Sequence, residues 1–119
     1  MTLNNFTFNT TSGIRFGNGI SVISSQEISK ILGSNILFIT DKDLMSLKLT
    51  EPTINKLKKF SPTVEIFEDV EADPSLKTLL KSIEIGKKMN ATGVIGFGGG
   101  SSMDVAKLTS LILGSNENI

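Results

Sequence analysis

The chain contains no cysteine, no histidine, no tryptophan and no tyrosine. Without cysteine there is no disulfide framework, no thiolate metal site and no thiol nucleophile. Without histidine there is neither a Ser-His-Asp triad nor an imidazole ligand for zinc or iron. Charge of one sign is missing too: 12 Lys+Arg balance 12 Asp+Glu, which removes the electrostatic case for a nucleic-acid partner. No apolar run approaches the roughly 18–20 residues of a membrane span. The first residues, Met1-Thr2-Leu3-Asn4-Asn5, lack the basic region and apolar stretch of a signal peptide. A soluble, cytoplasmic protein with no membrane partner is the expectation. What remains is 119 residues with 39% hydrophobic content, enough for one compact domain and well above the composition of a disordered chain.

Apolar periodicity divides the chain. Phe6-Thr7-Phe8-Asn9 and Ile14-Arg15-Phe16 alternate around Thr11-Ser12-Gly13, the pattern of a β-hairpin. Ser24 with Glu27 forms a capping-box signature before a helix carrying Ile28, Ile31 and Leu32, closed by Gly33 as its left-handed residue. Ile36 to Thr40 is a continuous apolar run of strand length, buried on both faces, and it ends in Asp41. A helix capped by Thr50 follows to Phe60, then a strand at Val64, Ile66 and Phe67. After the acidic stretch Glu68 to Asp73, the pair Asp73-Pro74 predicts an N-cap and first helical residue. The helix they start would bury Leu76, Leu79, Leu80 and Ile83. Val94 to Phe97 reads as a third buried strand, and a last helix begins at Ser101 or Ser102 and reaches Gly114. From Ile36 onward the order is β-α-β-α-β-α with a period of about 30 residues, the length of a βαβ unit. The fold class is α/β, a Rossmann-like parallel sheet.

In such a sheet ligands bind beyond the carboxyl ends of the strands. Those ends carry Asp41, the segment Asp69 to Asp73, and Gly98-Gly99-Gly100-Ser101. Consecutive glycines place no Cβ between backbone and ligand, and their N–H groups can converge on one anion. The helix behind them adds its own free N–H groups and partial positive charge. A phosphate or pyrophosphate is the natural guest. The stretch is not a P-loop, because Ser101 rather than Lys follows Gly100. Aligned as G-x-G-x-x-G from Gly96, it has Ser101 where the third glycine would stand. Asp41 can accept from both ribose hydroxyls and repel a 2′-phosphate, which favours NAD over NADP. Plainer readings stand beside these: a tight structural turn at the glycines, and helix caps at Asp41 and Asp73. For Asp104 and Lys107, spaced i, i+3, the plainer reading is a surface ion pair.

The segment Gly98-Gly99-Gly100-Ser101-Ser102-Met103-Asp104-Val105-Ala106-Lys107 resembles the GGGSxxDxAK signature of the iron-containing (group III) alcohol dehydrogenases. Further motifs of that family have counterparts in order. Phe16-Gly17-Asn18-Gly19 is similar to its F-G-x-G turn, and Ile39-Thr40-Asp41-Lys42 to its V-T-D-K. Val70-Glu71-Ala72-Asp73-Pro74-Ser75 is similar to its V-x-P-[ND]-P-[ST] loop, with Ala72 for the usual proline. The resemblance implies hydride transfer between a small alcohol or aldehyde and nicotinamide, with iron or another divalent metal as Lewis acid. It also implies a homo-oligomer. Carried over by position, Asp41 would bind the adenosine ribose, Asp73 the ribose or adenine side, and Gly98, Gly99, Gly100 and Ser101 the pyrophosphate. Ser101 sets the chain apart from glycerol dehydrogenases and Asp104 from maleylacetate reductases, leaving a short-chain or diol alcohol dehydrogenase as first choice. The family places its catalytic and metal residues, an Asp and several His, in a later helical domain. Residues 1–119 are therefore expected to form an N-terminal dinucleotide-binding domain, truncated before the metal-binding domain and inactive alone. The alternative expectation is a non-catalytic α/β module that binds an anion or self-associates.

Overall fold

The computed structural model describes residues 15–115, so most of the expected hairpin, residues 6–14, lies outside the described residues, while its last two, Arg15 and exposed Phe16, form no strand. Helices α1 (Ile20–Ile23) and α2 (Ser25–Leu32) lead into β1 (Asn35–Ile39). The short α3 (Lys42–Ser46) and α4 (Glu51–Phe60) connect it to β2 (Thr63–Phe67). Helix α5 (Leu76–Lys88) connects β2 to β3 (Gly93–Gly96), and α6 (Gly100–Ser115) follows. All pairings are parallel and the strand order is β2-β1-β3. This is the expected α/β, Rossmann-like sheet.

The central strand explains the layers. Residues Ile36 to Ile39 are wholly buried, and alternate side chains leave on opposite faces. Ile36 and Phe38 pack with Ile54 and Leu57 of α4, while Leu37 and Ile39 pack with Val105 and Ala106 of α6. Each connection thus covers one face, and the loops that follow the strands gather at one edge of the sheet.

Several expectations shift, each for a physical reason. Ser24 precedes α2, but its hydroxyl caps no helix amide. Its backbone is already helical at φ −81°, ψ −6°, because α1 runs straight into α2, and the extended geometry of an N-cap is lost. Glu27 instead takes Arg15 in a two-pronged pair at 2.6 and 2.8 Å. Thr50 also has helical backbone, φ −84° and ψ −23°, and its hydroxyl meets the Met45 sulfur at 3.0 Å instead of capping α4. Gly33 does have positive φ, at 87°, but its ψ of −157° lies outside the left-handed helical region. Strand β3 is half-buried rather than buried, because it sits at the sheet edge.

Helix α5 departs furthest. Leu76 and Leu80 point outward, 58% and 44% exposed, and the buried stripe is Thr78, Ser82, Ile83 and Gly86. Small residues win that face because α6 comes close. A Cβ on Gly86 would lie 2.5 Å from the Leu113 side chain, and the hydroxyls of Ser82 and Thr109 meet at 2.7 Å in the interior.

Candidate functional site

The loops after the three strands enclose an open cleft of about 820 Å³. Its walls include Asp41 and Lys42 after β1, Asp69 and Glu71 after β2, and Gly99 to Ser102 after β3. The three loops expected to converge do meet, although neither Asp73 nor Gly98 is among the residues that line the cleft.

The β1 wall is set by a cap. Asp41 has extended backbone, φ −122° and ψ 166°, and its Oδ1 accepts from the Leu44 N–H at 2.8 Å. This is the plainer reading of Asp41, and it leaves the residue able to do more. One oxygen closes the N-terminus of α3, while Oδ2 stands 3.4 Å from where a Cβ on Gly98 would be.

The β2 wall is an acidic loop held at several points. Asp69 pairs with Asp41 in an isolated antiparallel bridge, and Lys42 Nζ lies 3.3 Å from Asp69 Oδ1. Val70 is buried among the core side chains of the α6 face. Glu71 Oε1 accepts from the Ser75 N–H at 3.2 Å and from the Thr78 hydroxyl at 2.5 Å. The Thr78 and Ser75 hydrogen bonds hold the Glu71 carboxyl below its ordinary pKa. Ser75, not Asp73, is the N-cap of α5, with its Oγ accepting from the Thr78 N–H at 3.2 Å. The helix starts later than expected because a residue before proline is driven out of the helical region. Asp73 takes a left-handed φ of 51° instead, and Pro74 lies outside the helix. Asp73 does not line the cleft.

The β3 wall is bare backbone. Gly98 has φ +138°, and a Cβ there would meet Leu44 Cδ1 at 2.9 Å and Ser102 Oγ at 3.3 Å. It lies beneath the wall and lets the β1 and β3 loops approach. Gly99 and Gly100 have nothing within 4 Å of where their Cβ atoms would be, so their missing side chains leave open space. Helix α6 begins at Gly100, earlier than expected. Met103 N–H is bonded to Gly99 O at 3.1 Å. The amides of Gly100, Ser101 and Ser102 come before it and have no acceptor within the helix.

Three helix N-termini thus open on one cleft. Asp41 closes α3 and Glu71 with Ser75 closes α5, both with the chain's own carboxylates. Only α6 is left without such a group. The iron-containing alcohol dehydrogenase model matches residues 11–119. The chain belongs to the iron-containing alcohol dehydrogenase family. Family likeness extends to individual proteins. Choline dehydrogenase of Bacillus subtilis (strain 168) is 33% identical over 101 residues, 85% of this chain and 25% of that protein. NADH-dependent butanol dehydrogenase A from Thermotoga maritima superposes with a TM-score of 0.77 at 27% identity, covering 91% of this chain and 27% of its own. Sulfoacetaldehyde reductase from Bifidobacterium kashiwanohense, solved in complex with NAD+, gives 0.74 at 26% identity over 87% and 27%. The chain spans about a quarter of the length of these relatives.

Two groups that the family implies can be tried against the residues present. A dinucleotide fits the glycine wall, where open space and unbonded amides coincide. A metal ion does not fit. Among the described residues no group of three or more His, Cys, Asp or Glu could hold one, and the whole sequence has no His or Cys.

The sequence reading missed Glu71, Ser75 and Thr78 as builders of the site. Ser75-x-x-Thr78 preceded by Glu71 is a legible cap pattern, but Asp73-Pro74 offered a competing one. Asp104 and Lys107, the expected ion pair, are both exposed and are not paired with each other among the described residues.

Proposed function

We propose that the cleft binds NAD, and that the chain is the cofactor-binding portion of an oxidoreductase acting on a small alcohol or aldehyde. The observation that carries this reading is the vacant N-terminus of α6 beside two that carboxylates already close. An anion is repelled from the closed ends and attracted to the open one. The amides of Gly100, Ser101 and Ser102, beside side-chain-free Gly99, would hold the pyrophosphate. Gly98 would let that wall meet Asp41. Asp41 Oδ2 would accept from the adenosine ribose, and its charge would disfavour a 2′-phosphate. Asp73, itself not a lining residue, would shape the loop that carries Ala72 and Ser75 into the wall. The NAD+ complex of the Bifidobacterium reductase supports the choice of ligand.

When bound, the nicotinamide accepts or delivers the hydride. This chain's residues anchor and orient the dinucleotide, and none of them supplies the metal set, so the isolated chain would bind without turnover. A cytoplasmic homo-oligomer is part of the same proposal. Calorimetric titration with NAD and with NADP tests it, alongside Asp41→Ala. Binding of NAD that weakens in the variant is expected. No heat with either cofactor would remove the reading.

A second reading has its own observation. The half-buried edge strand β3 adjoins α6, whose Met103, Leu108 and Leu111 are each 46–47% exposed. Such surface favours self-association. A concentration-independent monomer on size-exclusion chromatography would count against it.

A further inference from the structure

We infer that Glu71 is the positioning residue of the cleft, the side chain that fixes the β2–α5 loop so that Asp69 is held against Asp41. The inference rests on the proposed cofactor role of Asp41 and goes past it, to a residue that would not touch the cofactor's ribose.

The loop must turn sharply between β2 and α5, and it does so through a left-handed Asp73, a conformation unfavourable for an L-residue. Glu71 closes that turn from inside. Its Oε1 receives the Ser75 N–H at 3.2 Å across four residues and the Thr78 hydroxyl at 2.5 Å. Two residues upstream, Asp69 forms the antiparallel bridge to Asp41 and the 3.3 Å contact with Lys42. Val70, between them in the chain, is buried in the core and anchors this part of the loop. The Lys42–Asp69 pair is exposed, and exposed pairs stabilise little by themselves. The hydrogen-bonded Glu71 turn therefore sets where the loop lies. Asp41 has one oxygen on Leu44, and the loop it bridges governs the direction of the other.

The test combines NAD titration with amide hydrogen exchange in wild type, Glu71→Ala, Glu71→Gln and Thr78→Val. Glu71→Ala should weaken NAD binding by roughly tenfold, because Asp41 is no longer held ready for the ribose. It should also speed exchange of the Leu44 amide, which reports the Asp41 cap from 27 residues away in sequence. Glu71→Gln keeps an acceptor for Ser75 and Thr78 and should restore both readouts. Thr78→Val removes the shorter bond from the other side with little change of shape, and it serves if Glu71→Ala does not fold. Unchanged NAD affinity in the alanine variant, or a glutamine variant as impaired as alanine, would overturn the inference. If wild type fails to bind NAD, the cofactor reading falls by itself. The Leu44 exchange then still decides whether Glu71 sets the Asp41 cap.

Discussion

Asp41 and Gly98 meet across the top of the sheet: a Cβ on Gly98 would lie 3.4 Å from Asp41 Oδ2. The carboxylate of the β1 loop and the backbone of the β3 loop share one space, and glycine keeps that space open. Gly98→Ala would add a methyl 2.9 Å from Leu44 Cδ1 and force a φ of +138° on an L-residue. A loss of about 1–3 kcal/mol is expected, read by urea denaturation. NAD affinity should fall with it, because either Leu44 or Asp41 must move.

Asp41→Asn separates the cap from the charge. The amide oxygen can still accept from Leu44 N–H, so the denaturation midpoint should stay close to wild type. Discrimination against NADP should shrink, because the repelling charge is gone. Asp41→Ala loses the cap as well and should cost about 1 kcal/mol. Equal NADP affinity in wild type and Asp41→Asn would remove Asp41 from the cofactor assignment.

Gly96 sets the distance between β3 and α6. A Cβ there would stand 2.8 Å from Ala106 Cβ and 3.2 Å from Met103 Cα. Gly96→Ala should destabilise by about 1–3 kcal/mol through overpacking. Ala106→Gly in the same chain should recover part of the loss, since it removes the nearer of those atoms. A double-mutant cycle gives the coupling, and a value of zero would mean that the helix simply shifts.

Between α5 and α6, Ser82→Ala should leave the Thr109 hydroxyl buried without its 2.7 Å partner. The expected cost is about 1–3 kcal/mol. Ser82→Ala with Thr109→Val removes both polar groups and should be more stable than Ser82→Ala alone. Thermal unfolding of the single and double variants checks the order.

Acid stability follows from Glu71 and Glu27, whose folded-state carboxyls lie below their ordinary pKa. For Glu71 the cause is hydrogen bonding from Thr78 and Ser75, and for Glu27 it is hydrogen bonding and charge from Arg15. Below the ordinary carboxylate value of about 4.3 the unfolded chain binds protons that the folded chain resists. Their contribution is thus complete above that value and is lost as pH falls through the lowered folded pKa. Thr78→Val should flatten the loss of stability on acidification, measured as denaturation midpoints from neutral pH downward. An unchanged slope would exclude the Glu71 turn as a source.

Local chemistry made much of this legible in advance. A wholly apolar Ile36 to Ile39 of strand length, bounded by turn residues, reads as a strand covered on both faces, and three glycines before a helix leave amides free. Those features depend on residues adjacent in the chain, so their order alone specified a Rossmann-like sheet and placed Asp41 and Gly98 to Ser101 after its strands, at the edge that carries the cleft. The remainder depended on contacts between distant segments. Leucine spacing was right for Leu79 and Ile83, which face the core, and wrong for Leu76 and Leu80, because the approach of α6 selects small residues at Ser82 and Gly86. Asp73-Pro74 suggested a cap that proline's own sterics deny. The role of Glu71 is fixed by Ser75 and Thr78, which reach its carboxylate only once the loop has folded back onto α5. Periodicity and backbone preference act within a few residues and can be read from the chain; helix separation, loop closure and the choice of which helix end stays vacant arise only when the elements pack.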